Sequence, residues 1–587
     1  MCGIIARVGM DAAADSLVSG LENLEYRGYD SAGVAVQNGD GITVLKRSGQ
    51  VAALKAAMED GAPKGGVGIG HTRWSTHGRP TDENAHPHTD CTGEVAVVHN
   101  GVIENHDALR RELEEGGHAF ESETDTEVVP HLFRAHLDAG LDGETAFRRT
   151  VDALSGSYAL AALVDGEDAV YAARRGSPLV LGLGDEEYFL ASDVPAFLER
   201  TDRVVYFEDG DLAVLRPGEV RLTDERGEPV EREPTTIDWD PAETGKGAYD
   251  HYMLKEIHAQ PGALSDAVRG RIDPEGGTVA LDAFPAGTYA DVDDVQFVAC
   301  GTSYHAALYG ARSLTAMGVR ARAVRASEYV DCAEPVTGDS LVVAVTQSGE
   351  TADTLEALRA AKVRGARTAT VTNVVGSSVA READRALCIR AGPEIGVAAT
   401  KTFSSQVVAL SLFALRLAED LPSATPPDDA DAMLDALSRL PSQIESVLQQ
   451  RTAAVVARRY RGSKAYFFIG RGLGYPVALE GALKFKEITY EHAEGFAAGE
   501  LKHGPLALVT PETPVVALFT GEHDEKTLTN AREAQTRGAD VIAVAPEGHP
   551  AASFADAHLP TPKTHPAWGG LLANVQLQLL SYHAANQ

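Results

Sequence analysis

Lysine is scarce in this chain. Only 13 of its 587 residues are Lys, and Lys plus Arg reach 52 against 85 for Asp plus Glu, a formal net charge of -33. Phosphate backbones are bound by positive surfaces, so nucleic acid is excluded as a main partner. Long apolar runs are also missing; none approaches the roughly 20 residues of a membrane-spanning helix, and no membrane crossing is expected. Cysteine is limited to Cys2, Cys91, Cys300, Cys332 and Cys388. An odd number, wide spacing and no C-x-x-C pair argue against a disulfide framework and give no zinc-site pattern, so no metal is expected. The start, MCGIIARVGM, has neither a basic n-region nor an apolar h-region, and the chain is expected to be cytoplasmic. A dispersed acid excess with so little lysine fits salty cytosol, where dissolved ions screen self-repulsion.

What is present is enough chain for roughly three or four compact units. Short β-rich runs such as Gly93 to His99 and Ala159 to Val164 alternate with helices such as Thr126 to Leu137, giving an α+β domain up to residue 233. Turn formers without periodicity from Pro234 to Gly247 mark a linker. With the helix that begins near His251, this segment spans 234–270. The pattern then changes. Val295 to Ala299 precedes CGTS and a helix from Tyr304; Ser340 to Val345 precedes TQSGET and a helix from Ala352; Thr368 to Thr372 is another strand. Such alternation predicts a parallel α/β sheet. It recurs about 170 residues later, at Ala465 to Ile469 and again from Pro514, as a duplicated unit does. The acidic, proline-rich stretch from Leu421 to Asp429 separates the copies, at 271–425 and 440–587.

Cys2 follows a methionine that is removed when the next residue is small, which leaves thiol and α-amine on one residue. The amine, with a pKa near 8, is then positioned as base for the thiol. An inert buried thiol remains the plain alternative. Arg73, in the turn-rich run from Gly68 to His88, carries a fork suited to a carboxylate. Asn100 and Gly101 end an apolar strand, where a side-chain amide and a backbone N–H can point at one oxyanion; an ordinary Asn-Gly hairpin turn is the other reading. Asp125 precedes a helix, as a cap or as a ligand for an ammonium.

Taken in order, MCGI, LEYRGYDSAG, GHTRWSTHG, HNGVIEN and SETDTE resemble the amino-terminal-nucleophile glutamine amidotransferase domain. The resemblance implies that Cys2 attacks the glutamine amide, with Asn100 and Gly101 as oxyanion hole, Arg73 on the substrate carboxylate and Asp125 on its ammonium. It also implies that Thr76 and His77 shape the pocket, that Arg27 belongs to a loop closing over glutamine, and that Trp74 stands at the exit of an ammonia channel.

In the duplicated half, Ser303, Gln347, Ser348 and Thr351 lie where helices begin. Free N–H groups and the helix dipole favour phosphate there, although Ser and Thr at such places also serve as caps. No Walker lysine pattern or full G-x-G-x-x-G accompanies them, which favours a sugar phosphate over a nucleotide. Glu480, Lys484 and Glu487 share one helix face by spacing. With His503 they suit an enolising isomerisation, and a solvated salt-bridge face and a loop histidine are the bland readings.

These segments, with EIGVAATKTFSSQ and HYMLKEIHAQP, resemble the sugar-isomerase (SIS) domains of the glutamine:fructose-6-phosphate aminotransferases, along nearly the whole chain. The resemblance implies a cofactor-free homodimer acting on glutamine and fructose 6-phosphate. By it Glu487 shuttles the proton, His503 opens the ring, Lys484 assists, Val397 lines the sugar site, and Thr346 replaces a common Ser. The family continues into a Pro-Arg-Asn-Leu-Ala-Lys-like tail whose lysine forms a Schiff base, whereas this sequence reads QLQLLSYHAANQ at its end. A chain ending there implies uncoupled glutaminase or isomerase activity, or a sugar-phosphate sensor, as alternatives to the full transfer.

Overall fold

The computed structural model describes residues 2–59, 61–75, 77–237, 239, 245–272, 278–332 and 335–587. The chain divides into two compact units, Met1–Gly245 and Lys246–Gln587.

In the first unit an eight-stranded sheet and a six-stranded sheet, each antiparallel, pack face to face. Strand side chains alternate in direction, and here both directions are apolar. Along Gly3–Val8, Ile4, Ala6 and Val8 meet Ala96, Val98 and Ala161 of the opposing sheet. Ile5 points the other way, to Leu17 and Leu21 of the helix Ala14–Leu24. On the outer face of the six-stranded sheet, Val95, Val97 and Leu160 pack on Val129 and Phe133 of Val128–Asp138 and Phe147 of Gly143–Asp152. The result is a four-layer α-β-β-α unit, in which each fully buried aliphatic side chain contributes about 1.5–3 kcal/mol.

The second unit holds two five-stranded parallel sheets of one design. The first runs Ala321–Arg325, Asp294–Ala299, Ser340–Thr346, Arg367–Thr372, Arg385–Cys388. The second runs Ala493–Ala497, Tyr466–Gly470, Val515–Leu518, Val541–Pro546, Ala557–Thr561. Numbered along the chain, both have the order 2-1-3-4-5, whose switch point lies between the first and third strands, at their carboxyl ends. Helices Gly301–Ala316, Lys401–Asp420, Gly474–Thr489 and Pro566–Ala585 contribute to the core that serves both sheets.

Three local expectations are corrected. The helix placed at Tyr304 begins at Gly301, so Ser303 sits inside its first turn. Within the expected linker, Thr235–Thr236 pairs with Arg203 and Val204 as an edge strand of the first unit. The strand expected to end at His99 with a turn at Asn100-Gly101 continues as Val95–Ile103. Gly101 stays in the ladder at φ +128°, and a Cβ there would stand 2.0 Å from the Ser157 carbonyl oxygen, so the strand accepts only glycine at that point.

Candidate functional site

In the first unit, Cys2 precedes the strand Gly3–Val8, which pairs with Val67–Arg73. The Trp74 N–H donates to Cys2 Sγ at 3.3 Å, while Arg27 Nε and Asn100 Nδ2 donate to the Cys2 carbonyl at 3.0 and 2.9 Å. Desolvation pushes the thiol up, against the Trp74 contact and the Arg73 and Arg27 charges, which hold it down.

Asn100 is fixed from behind. His71 Nε2 faces two acceptors, the His99 carbonyl at 2.9 Å and Asn100 Oδ1 at 3.0 Å, so this nitrogen carries the proton. Burial pushes His71 down to about 3, which keeps the ring neutral. With Oδ1 held, Nδ2 turns to the Cys2 carbonyl and to Ser192 Oγ at 2.7 Å. Asp125 does not cap the following helix; its Oδ2 accepts from the Ile103 N–H at 2.8 Å, which ties it to the strand just beyond Gly101.

Arg73 is buried, and its guanidinium donates to the carbonyls of His77, Gly78 and Arg79, holding its own loop. Burial lowers its pKa, opposed by the charges of Cys2, Asp30 and Asp125 that face it. Arg27 is also buried, at the Cys2 carbonyl and 3.5 Å from Asp193, rather than displayed on an open loop. Trp74 is 41% exposed, edge-on to Tyr29, and His77 is edge-on to His106. Thr76 lies outside the described residues.

In the second unit, the switch point of the first sheet gathers the hydroxyls. Cys300 and Thr351 are the N-cap residues of Gly301–Ala316 and Ala352–Val363, and neither side chain makes a cap hydrogen bond. Helix starts left uncapped by their own side chains suit an anion. Thr351 Oγ1 instead shares a 3.1 Å hydrogen bond with Thr346 Oγ1, Ser348 Oγ accepts from the Glu350 N–H, and Ser303 Oγ accepts from Gln406 Nε2 at 2.9 Å. The Gln347 carbonyl accepts from the Asn373 N–H, which fixes the loop. Gly349, at φ +70°, is required: a Cβ would meet Ser377 Oγ at 2.0 Å.

A buried cluster joins this cradle to the second sheet domain. Thr302 Oγ1 donates to Glu480 Oε1 at 3.0 Å, and His305 Nδ1 lies 2.8 Å from Glu480 Oε2. Lys484 Nζ stands 3.6 Å from Glu480 and 2.5 Å from Glu487. Burial acts against both charges, yet Lys484 holds Glu480 down, and Glu480 and Glu487 hold Lys484 up. Glu487 remains about a third exposed. Val397 is 48% exposed, on a segment anchored by Glu256, which accepts from the Ile395 and Gly396 N–H groups. His503 is exposed on Ala498–His503 and has no hydrogen bond or ion pair to this cluster.

His71, Ser192 and Asp193 in the first unit, and Thr302, His305 and Gln406 in the second, escape a reading by motif. The Thr302–Glu480 and His305–Glu480 contacts span 178 and 175 residues, so no local spacing reports them.

Fold and sites together define a class, a glutamine amidotransferase domain joined to paired SIS domains. A glutamine amidotransferase model matches residues 71–199, and an SIS-domain model matches 288–416 and 460–586. The glutamine–fructose-6-phosphate aminotransferase [isomerizing] of Halobacterium salinarum is 51% identical over 100% of this chain and 97% of its own length. The protein of the same name from Symbiobacterium thermophilum is 49% identical with the same coverage. A solved C-terminal domain of glucosamine-fructose-6-phosphate aminotransferase from Francisella tularensis is 36% identical, covers 58% of this chain and 98% of its own, and has a TM-score of 0.54. The chain belongs to the glutamine–fructose-6-phosphate aminotransferase [isomerizing] family.

Proposed function

We propose that this chain converts fructose 6-phosphate and glutamine to glucosamine 6-phosphate and glutamate, as a cytoplasmic homodimer made of domains 2–233, 271–425 and 440–587 with 234–270 between the first two. The observation that carries the reading is the Thr302–Glu480–His305 junction, which brings a phosphate cradle on one sheet domain to a Lys484–Glu487 pair on the other.

In the first unit, Cys2 attacks the glutamine side-chain amide. Its thiol is held up by burial, so it needs a base, and the α-amine freed by methionine removal supplies one. Asn100 Nδ2, exchanging one of its present acceptors, the Cys2 carbonyl or Ser192 Oγ, for substrate, and the Gly101 N–H take the developing oxyanion. Asp125 receives the substrate ammonium and Arg73 its carboxylate, which requires the guanidinium to exchange one of its loop carbonyls for substrate. Thr76 and His77 shape the pocket, and ammonia leaves past Trp74.

In the second unit, Ser303, Gln347, Ser348 and Thr351 bind the sugar phosphate, and Val397 lines the sugar. His503, which has no hydrogen bond or ion pair to this cluster in its own chain, opens the ring at the site of the neighbouring subunit in the homodimer. Glu487 then moves a proton between C1 and C2, with Lys484 beside it to steady the enolate. Chain and sugar phosphate both carry negative charge, so capture of the phosphate rests on these local dipoles and hydroxyls rather than on the overall field.

The test is a coupled assay at high salt that measures glutamate and glucosamine 6-phosphate together, on this chain and on one extended by the family's lysine-bearing tail. Amino-sugar formation that is lost in Cys2→Ala with glutamine, and regained with ammonium, supports the reading. Glutamate without amino sugar from both chains, each correctly folded, would overturn it.

A further inference from the structure

We propose that Cys91, His118 and His131 form a zinc site in the first unit, with its fourth position open to water. Three separate pieces of chain bring the ligands together. Cys91 follows the strand His88–Thr89, His118 lies in the loop after the helix His106–Glu115, and His131 is in the first turn of Val128–Asp138. The ligand atoms all lie within 4.8 Å of one another, with Cys91 Sγ 3.8 Å from His118 Nδ1 and the two Nδ1 atoms 3.2 Å apart. A tetrahedron with Zn–S about 2.3 Å and Zn–N about 2.0–2.1 Å separates its ligands by roughly 3.3–3.6 Å. The Cys91–His118 and His118–His131 pairs lie within a few tenths of an ångström of those separations, and the third pair closes from within 4.8 Å.

The surroundings are those of a metal ligand set. Two neutral imidazoles can face each other through Nδ1 only when one donates and the other accepts, whereas a cation takes both lone pairs. On the far side of the His131 ring, Glu127 Oε1 stands 3.7 Å from Nε2. Glu127 is itself fixed, accepting from the Glu121 and Ser122 N–H groups at 2.7 Å each and from Ser122 Oγ. At 3.7 Å no hydrogen bond forms to His131, whose buried Nε2 has no hydrogen-bond partner, but a carboxylate behind a ligating imidazole places negative charge there that strengthens it as a donor to the metal. Asp90 shapes the turn that presents Cys91 by accepting from the Thr92 and Val95 N–H groups, and Asp90 and Asp138 place negative charge near His118. A thiolate with two imidazoles selects a borderline-soft cation such as Zn²⁺ over Mg²⁺ or Ca²⁺.

The ligands are 27 and 13 residues apart, which is why no short motif announces them. Binding releases the Cys91 thiol proton to solvent and changes no oxidation state. It ties both ends of the segment that contains Asp125, so the site braces the glutamine-facing side of the unit. The proposal itself does not depend on which amide the unit hydrolyses.

The test uses the full chain, stripped with a chelator and titrated with Zn²⁺ against a chromophoric competitor, and in parallel with Co²⁺. One tightly held Zn²⁺ per chain is expected, together with a thiolate-to-cobalt charge-transfer band. Cys91→Ser and His118→Gln, both at accessible positions that do not carry the core, should each weaken Zn²⁺ at least tenfold. Cys91→Ser should erase the band, and Cys332→Ser should leave it intact. Zn²⁺ should raise the thermal midpoint of the parent chain and not that of Cys91→Ser. A band that survives Cys91→Ser, or equal Zn²⁺ affinity in parent and variants, would overturn the proposal.

Discussion

Within Lys246–Gln587 one strand order is built twice, and the two copies use their switch points in opposite ways. In the first, the helix starts at Gly301 and Ala352 are lined by hydroxyls and leave their cap positions without side-chain caps. In the second, Asp524 already sits on the Gly521 N–H, with oxygens at 3.2 and 3.1 Å, and pairs with His549 at 3.3 Å. Arg471, at the end of Tyr466–Gly470, is held by Asn530 Oδ1 at 3.1 and 2.9 Å. A carboxylate therefore occupies the N–H that a phosphate would need. What the second copy offers lies on the face of its helix Gly474–Thr489, as Glu480, Lys484 and Glu487. Duplication has kept the scaffold while, on the proposed reading, the labour divides, with the anion cradle on one sheet and proton transfer on the other.

The division is broken most severely at the second copy's helix. Glu487→Gln keeps the shape and removes the proposed base, so sugar conversion should fall by about 10²–10⁴-fold, the usual worth of a general base. Glutamine hydrolysis should continue. An unchanged sugar rate, measured by product formation at saturating substrate, would remove Glu487 from its role.

Next in size is the junction between copies. Glu480→Gln leaves the buried Lys484 without its inner partner, and removing one member of a buried pair costs about 3–5 kcal/mol. Burial raises the Glu480 pKa, but Lys484 and His305 outweigh it, so the folded value lies below the usual carboxylate value. The stability it supplies is present above the unfolded value, near 4.5, and is lost as pH falls through the folded one. Denaturant unfolding of the second unit should therefore show an acid limb that flattens in Glu480→Gln. The same limb in both proteins would mean that the pair does not couple the copies.

How far this was legible follows from the kind of signal involved. Periodicity exposes the repeated strand-turn-helix units, because each is local and apolar. The i, i+4, i+7 spacing of Glu480, Lys484 and Glu487 exposes their common face, and the ion pairs at 3.6 and 2.5 Å agree. Spacing is silent on the partners of that face. His305 meets Glu480 only after two helices of different domains pack together, and Gln406 reaches Ser303 from 103 residues away. Asn100-Gly101 misleads for a different reason. The dipeptide is a strong turn signal in isolation, yet here the ladder runs through it, because a glycine at positive φ lets a strand pass close to Ser157. His71 escapes attention because its task is to hold another side chain, and nothing in its neighbourhood in sequence says which.

The comparison is sharpened by matched substitutions at the two switch points. Ser348→Ala removes a hydroxyl from the proposed cradle, and a hydrogen bond to a charged group contributes about 1.5–3 kcal/mol. The KM for fructose 6-phosphate should rise about 10–100-fold with little change in kcat. Thr520→Ala, a buried position at the corresponding end of the second sheet, should leave KM within about twofold, because it removes no proposed contact to the sugar phosphate. Equal KM effects at both positions would mean that the second switch point also binds phosphate, and that Asp524 moves aside to admit it.

The finest distinction lies at Thr346, where the resemblance expects serine. Its hydroxyl accepts from the Gly349 N–H at 3.3 Å and bonds Thr351 Oγ1 at 3.1 Å, so it shapes the cradle without capping either helix. The methyl group is buried, and deleting one buried methyl costs about 0.5–1.5 kcal/mol. Thr346→Ser should therefore lower the unfolding free energy by about that amount and leave the sugar KM within twofold, since the hydroxyl stays in place. Thr346→Val keeps the volume and loses the hydroxyl, leaving Thr351 to find another partner; KM should rise while stability changes less than in a truncation. If the serine variant shifts KM and the valine variant does not, the methyl group rather than the hydroxyl sets the cradle, and packing beneath the loop would govern phosphate affinity in the first copy.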